Sequence, residues 1–358
     1  MVKGLVRSMN ESRLGAPGAT QRPVAIWLLV CCFMVAVMVL LGGLTRLTHS
    51  GLSMVEWEPI RGIIPPLTDA DWHLFFEKYK QSPEYKLVNA GMTLAGFKGI
   101  FWLEYIHRVW GRLIGLVFFI PFLWLALSGR IGKALIPRLI GLFALGAAQG
   151  GMGWIMVASG LVDNPAVSHY RLTAHLGLAF LIHGWMFWMA LGILADLAES
   201  PRRLPEGGRA MARSWLHLLL ILVVVTLLFG GLVAGLRAGL VFNTWPLMDG
   251  QLIPKGLFAT GIHELFEDHM TVQFTHRTLA EITVVVALGG WWLCWRRLGA
   301  STPAVIHWVA AMAVSQVILG IGTLVMAVPV WLASAHQMGA MALLTLCLWA
   351  MHDLTRRG

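Results

Sequence analysis

The chain has 358 residues, of which 57% are hydrophobic and only 13% charged, where a soluble domain carries roughly 25% charged residues. That composition excludes a disordered chain, a basic nucleic-acid-binding domain and an ordinary cytosolic enzyme, so no nucleic-acid partner is expected. The formal net charge is +9, and in a membrane protein such a surplus reflects orientation before it reflects an acidic partner.

Crossing the hydrocarbon core takes about 20 apolar residues. Eight stretches qualify: 24–44, 102–128, 136–158, 171–195, 214–236, 272–295, 303–327 and 330–352. The first does not read as a cleaved signal peptide, because its apolar run is too long and no small-residue cleavage site follows before Arg46. With the amino terminus inside, the inner segments collect more than half of the 27 basic residues, among them Lys3, Arg7, Arg130, Arg138, Arg202, Arg213, Arg297 and Arg357. The inner acids are only Glu11, Asp196, Glu199, Glu206 and Asp353, and the outer side is close to neutral. Both termini are therefore expected to face the cytoplasm. The four cysteines, Cys31, Cys32, Cys294 and Cys347, lie in apolar runs and read as small buried hydrophobes.

Two outer connections, roughly 45–101 and 237–271, are unusually long. Both carry Trp, Pro and Gly (Trp57, Pro59, Pro65; Trp245, Pro246, Pro254), and the first includes a polar amphipathic stretch from Asp69 to Lys86. Such loops could roof a site at the outer face.

The second half echoes the first. Gly42-Gly43-Leu44 returns as Gly230-Gly231-Leu232, Trp57 as Trp245, and Tyr105-Ile106-His107-Arg108 as Phe274-Thr275-His276-Arg277. Gln149 returns as Gln316 and Ala174-His175 as Ala335-His336, always in the same order. Each unit holds an even number of spans, so the halves share one orientation and an axis along the membrane normal. The expected fold is an all-α integral membrane protein with eight transmembrane helices, built as two parallel-repeat four-helix bundles. Its divisions are a cytoplasmic segment 1–23, an amino-terminal bundle 24–196, a linker 197–213 and a carboxy-terminal bundle 214–353.

Of 13 histidines, four fall in the first turns of even-numbered spans that start at the outer face: His107, His175, His276 and His336. Two imidazoles from neighbouring helices of one bundle suit the axial positions of a heme, whose apolar faces such a bundle can bury. Heme propionates need cations at the water boundary, and Arg108, Arg112, Arg171 and Arg277 flank these histidines. Zinc is disfavoured, with no cysteine or second cluster nearby. His183, His217 and His307 have no repeat partner and read as structural. The halves differ at one telling place. Glu104 lies three residues before His107, on the same helical face, and its counterpart is Gln273. A carboxylate there has a cost unless it acts or is paired, with Arg108 the partner if it is only paired. On the active reading, the carboxylate half carries chemistry and the glutamine half carries electrons.

At these residues the sequence resembles the heme A synthase family. The resemblance runs over roughly 24–353 and rests on Gly42–Thr48, Glu104–Arg108, Arg171–His175, Asn243–Met248, Gln273–Arg277 and Ala335–Gln337. Some members carry cysteine pairs in outer loops; this chain has none, which places it with the proteobacterial and mitochondrial branch. The resemblance implies oxidation of the C8 methyl of heme O to a formyl by successive hydroxylations, giving heme A for cytochrome oxidase. It implies that His107 and His175 hold substrate heme O, that Glu104 is catalytic at the reacting edge, and that His276 and His336 are the axial ligands of a heme b cofactor. Glu104 would act as a base or stabilise developing positive charge, or one histidine would dissociate to open the iron. The alternatives are a diheme b-type cytochrome exchanging electrons with quinone, and a transporter of parallel repeats, for which Glu281 is the one mid-span acid. The expected location is a bacterial inner membrane rather than a mitochondrial one. Expected partners are membrane lipid, the heme O synthase that farnesylates protoheme, and further copies of the chain.

Overall fold

The computed structural model describes residues 21–56, 61–162, 165, 167–198 and 203–357. Trp57 and Pro59, and the basic residues Lys3, Arg7 and Arg202, lie outside them. Among the described residues the fold is helical, with one isolated β-bridge between Met248 and Gln251. Eight helices are long and apolar enough to cross a membrane: α1 (Arg22–Leu47), α4 (Leu94–Leu127), α5 (Ile136–Gly160), α6 (His169–Asp196), α7 (Glu206–Leu236), α9 (His269–Leu298), α10 (Ala304–Val325) and α11 (Val330–Arg356). Short helices α2 (Asp69–Lys80) and α3 (Pro83–Leu87) lie in the first outer loop, and α8 (Glu264–Glu267) in the second. The protein is thus a multi-pass membrane protein.

The pairing of helices repeats. In the first half α1 packs on α4 and α6, and α5 on α4 and α6; in the second α7 packs on α9 and α11, and α10 on α9 and α11. The halves meet where α6 contacts α7 and α11, and where α1 contacts α11. One buried cluster, including Leu28, Leu139, Met186, Leu216, Leu219, Ile306 and Leu354, runs through both halves. Large apolar side chains such as Phe33, Leu127, Val285 and Ile318 point outward, as a lipid-facing surface requires. All four cysteines are buried free thiols. His183 bridges the halves: its Nδ1 lies 3.3 Å from the Cys32 carbonyl and its Nε2 2.9 Å from the Thr345 hydroxyl. Its structural reading stands on those bonds.

Two helix starts differ from the sequence expectation. Helix α4 begins at Leu94 rather than at 102, capped by the Thr93 hydroxyl, which accepts from Gly96 N at 3.2 Å. Its extra turns are buried by the outer loop instead of by lipid. Phe97 and Phe101 are fully buried against Trp72, Phe76 and Tyr79. His107 consequently stands more than three turns into its helix, whereas His175, His276 and His336 stand in second turns. Helix α7 begins at Glu206, so part of the stretch assigned to the linker 197–213 is helical. Its first turns, Glu206-Gly-Gly-Arg-Ala-Met-Ala-Arg213, are too polar to register as a span, yet Ala212 at their end and Trp215 just beyond are buried.

The expected amphipathic stretch forms α2 and α3. Thr68 and Asp71 close a capping box at the start of α2, and α2 lays Trp72, Phe76 and Tyr79 onto the extension of α4.

Candidate functional site

The four histidines line one continuous cavity of about 1680 Å³ that spans both halves. Pockets for drug-sized ligands run to roughly 1,000 Å³, so the space exceeds that of one small molecule. Within each half the expected pair comes together: His107 and His175 are near enough for their charges to interact, and so are His276 and His336.

Each imidazole lies against a glycine of a neighbouring helix. A Cβ on Gly42 of α1 would stand 3.3 Å from His107 Nε2, and one on Gly153 of α5 3.3 Å from His175 Cε1. A Cβ on Gly230 of α7 would stand 3.2 Å from His276 Cε1, and one on Gly320 of α10 3.0 Å from His336 Cε1. Four rings are thus seated in four matching notches that any larger residue would narrow. The rings keep unsatisfied nitrogens. His175 Nδ1 and His336 Nδ1 are buried without a hydrogen-bond partner. His276 Nδ1 donates to the Thr226 carbonyl at 3.1 Å, the kind of contact that fixes the tautomer of a metal-binding histidine. Buried polar atoms without partners are uncommon. Paired imidazoles with spare nitrogens, in a large cavity with mostly apolar walls, fit a bis-histidine heme.

Beside each pair an arginine pins the outer loop. Arg108 donates to the carbonyls of Glu56 (3.2 Å) and Met54 (2.9 Å). Arg277 donates to the equivalent carbonyls of Thr244 (2.8 Å) and Phe242 (2.8 Å). The residue one turn earlier differs. Glu104, 2% exposed, accepts Ser53 Oγ at 2.6 Å and Met54 N at 2.8 Å on Oε2, and Arg108 Nε at 3.0 Å and Nη2 at 2.5 Å on Oε1. Gln273, equally buried, donates through Nε2 to the carbonyls of Ala238 and Phe242, both at 3.1 Å.

The profile of a family described as cytochrome oxidase assembly protein matches residues 25–348. A heme A synthase of Paramagnetospirillum magneticum is 76% identical over 351 residues, 98% of each chain. A heme A synthase of Nitrosospira multiformis is 50% identical over 95% of each chain. One of Rhodospirillum centenum is 48% identical over 94% of this chain and 89% of its own. The chain belongs to this heme A synthase family.

Among the residues expected from sequence, Glu104, His107, His175, His276, His336, Arg108, Arg112 and Arg277 all line the cavity. Arg171 is exposed on α6 and is not among the residues that line the cavity. Arg108 and Arg277, read as propionate contacts, are bonded to loop carbonyls. The two sites expected one per bundle open into a single space. Residues missed by sequence reasoning are the four glycines and the outer-face group Arg46, His49, Glu84 and Arg237, all in the lining. A signal for the glycines existed, since Gly153 and Gly320 stand four residues after the repeated Gln149 and Gln316.

The outer-face group ties the halves together. Arg46 donates to the carbonyls of Ala234 (3.3 Å) and Gly235 (3.1 Å). Arg237 reaches His49 Nδ1 at 3.1 Å. His49 has its pKa lowered by burial and by the charges of Arg237 and Arg46.

Proposed function

We propose that this chain is a heme A synthase, oxidising the C8 methyl of heme O to a formyl. One observation carries the reading: two glycine-backed histidine pairs share a cavity, and a buried carboxylate stands beside only the amino-terminal pair. The 24–196 half would hold the substrate and the 214–353 half the cofactor. His107 and His175 hold substrate heme O by its iron. His276 and His336 hold a heme b, which supplies one-electron transfer when bound. Glu104 keeps a negative charge at the substrate edge, where positive charge develops as the methyl loses electrons. Its four accepted hydrogen bonds favour that role over proton abstraction, because taking a proton would displace a donor. Arg112, also in the lining, supplies a cation for a propionate. The chain would lie in a bacterial inner membrane with both ends cytoplasmic, and would take a membrane-embedded substrate from a heme O synthase.

The test is anaerobic extraction and chromatography of the bound hemes from the native protein and from Glu104→Ala, His107→Ala and His276→Ala. Native protein is expected to yield heme b with heme O and heme A. Glu104→Ala should keep heme b and heme O without heme A, His107→Ala should lose heme O alone, and His276→Ala should lose heme b. Conversion by Glu104→Ala overturns the role of the carboxylate. Heme b alone, in both halves of the native protein, would make the chain a diheme cytochrome.

A further inference from the structure

Besides the buried Glu104 and the exposed Glu281, a further acid lines the cavity, at its outer end. Glu84 lies in α3 and is only 5% exposed. Helix α3 is fixed by the Ser82 hydroxyl, which accepts from Tyr85 N at 3.2 Å, so the side chain is held toward the bundle by a formed turn. Its Oε2 is buried without any hydrogen-bond partner. The neighbouring cations are committed elsewhere: Arg46 to the carbonyls of Ala234 and Gly235, Arg237 to His49. No ion pair forms on Glu84 among the described residues. Arg46 Nε is likewise buried and unpartnered, and both residues line the same cavity. Two unpaired polar atoms on one cavity wall are what an ordered water bridges.

The charged and titratable groups acting on Glu84 are Arg46 from α1, Arg237 after α7, Glu104 from α4, and Tyr79 from α2, with His49 behind Arg237. Burial, reinforced by the Glu104 charge, pushes the Glu84 carboxyl up to about 7, while the two arginines and Tyr79 oppose the shift. Such a group changes protonation state at neutral pH, unlike an exposed carboxylate.

The other two buried acids near the outer face behave differently. Glu104 has both oxygens filled by donors. Glu264 of α8 accepts from Thr260 N at 2.7 Å and Thr260 Oγ1 at 2.6 Å, bonds that hold it below the usual carboxylate range. Glu264 is also absent from the cavity lining. Among the three, Glu84 combines burial, an empty acceptor and a place on the cavity wall.

We propose that Glu84 is the proton-exchange group of the amino-terminal pocket, passing protons between the cavity and the outer aqueous phase. The inference rests on the reading of that pocket as the site of oxidation. With water as the oxygen donor, oxidising a methyl carbon to a formyl (R–CH3 + H2O → R–CHO + 4 H+ + 4 e−) releases protons, and the electrons would leave through the heme b that His276 and His336 would hold, to an external one-electron acceptor. A proton leaving the cavity is taken by the Glu84 carboxylate, giving the neutral acid. The acid then gives it to water at the outer face and returns to the carboxylate. Glu84 acts on the reaction through this proton transfer alone.

Two measurements test the proposal on the full-length, heme-loaded protein. The first is infrared difference spectroscopy against pH without turnover. A protonated-carboxyl band that titrates near neutrality is expected in the native protein and is expected to vanish in Glu84→Gln. Persistence of the band in the variant, or its absence from the native protein, overturns the assignment. This arm does not depend on heme O being the substrate. The second is the rate of heme O conversion against pH. Glu84→Gln should keep native heme content and lose at least about tenfold in rate, within the range by which a positioned proton carrier contributes, together with the inflection near neutrality. Glu84→Asp should restore part of the rate with a displaced inflection. A native rate and pH profile in Glu84→Gln overturns the proposal even where the infrared band is found. Native protein that converts no heme O refutes the functional reading instead, and the infrared result then stands by itself.

Discussion

The two outer-face clasps, Glu104–Arg108 and Gln273–Arg277, are built on one plan and differ in the direction of their hydrogen bonds. In both, an arginine one turn further on grips two loop carbonyls. In the first half, the loop turns an amide N–H and a hydroxyl toward the helix, and the carboxylate accepts both. In the second half, the loop turns two carbonyls toward the helix, and the amide nitrogen of Gln273 donates to both. The difference between Glu and Gln is therefore matched by the loop backbone. An acceptor-only side chain meets donors, and a side chain with an N–H₂ group meets acceptors. The charge beside the amino-terminal histidine pair is a property of an entire loop rather than of one position.

The largest expected break in this comparison is Arg108→Met. It leaves Glu104 buried without its cation, a loss of about 3–5 kcal/mol when one partner of a buried ion pair is removed. Thermal unfolding in detergent should drop sharply, with heme lost from the first half before the second. Next come the glycine notches. Gly320→Ala places a methyl 3.0 Å from His336 and Gly42→Ala one 3.3 Å from His107. Overpacking of this kind costs about 1–3 kcal/mol, and bound heme measured by pyridine hemochrome should fall more for Gly320→Ala.

Gln273→Glu sharpens the comparison from the other side. A carboxylate facing the carbonyls of Ala238 and Phe242 sets acceptor against acceptor and leaves a buried carboxylate oxygen without a donor, at a cost of about 1–3 kcal/mol. The variant should melt earlier and gain no oxidising activity in the second half, measurable by heme extraction from a Glu104→Ala, Gln273→Glu double variant. Appearance of heme A in that variant would show that the charge alone suffices.

The smallest expected effect is on pH dependence at the seam between halves. His49 has a lowered pKa in the folded protein, so the unfolded chain binds its proton first as pH falls. Stability from this group is therefore complete at higher pH and declines as pH drops below about 6.5, the ordinary histidine value. His49→Gln should flatten that slope in melting temperature against pH.

Much of this was legible in the sequence. Hydropathy located eight spans because lipid leaves a long apolar signature. The repeat located His107, His175, His276 and His336, and exposed the odd position at Glu104. The start of α4 was hidden because its first turns bury Phe97 and Phe101 under Trp72, Phe76 and Tyr79, an aromatic cover that hydropathy does not distinguish from solvent. The start of α7 was hidden by its charged first turns. The role of Gly42, Gly153, Gly230 and Gly320 was hidden because nothing local in a sequence says which ring a glycine faces. The carbonyl contacts of Arg108 and Arg277 gave no signal, because the carbonyls come from long loops whose path a sequence does not state. Glu84 gave no signal, because its empty Oε2 depends on Arg46 and Arg237 being engaged by segments distant in the chain.

The contacts of Arg46 with Ala234 and of His49 with Arg237 each join residues 188 positions apart, the same spacing that relates Gly42 to Gly230. Each residue thus touches its own counterpart, as happens at the two-fold axis of an isologous dimer. In such a dimer of identical subunits no position can differ between the two copies. Joining both bundles in one polypeptide removes that restriction. It lets a single pseudo-symmetric shell hold an acid on one side and an amide on the other, so that two similar histidine pairs can be assigned different tasks.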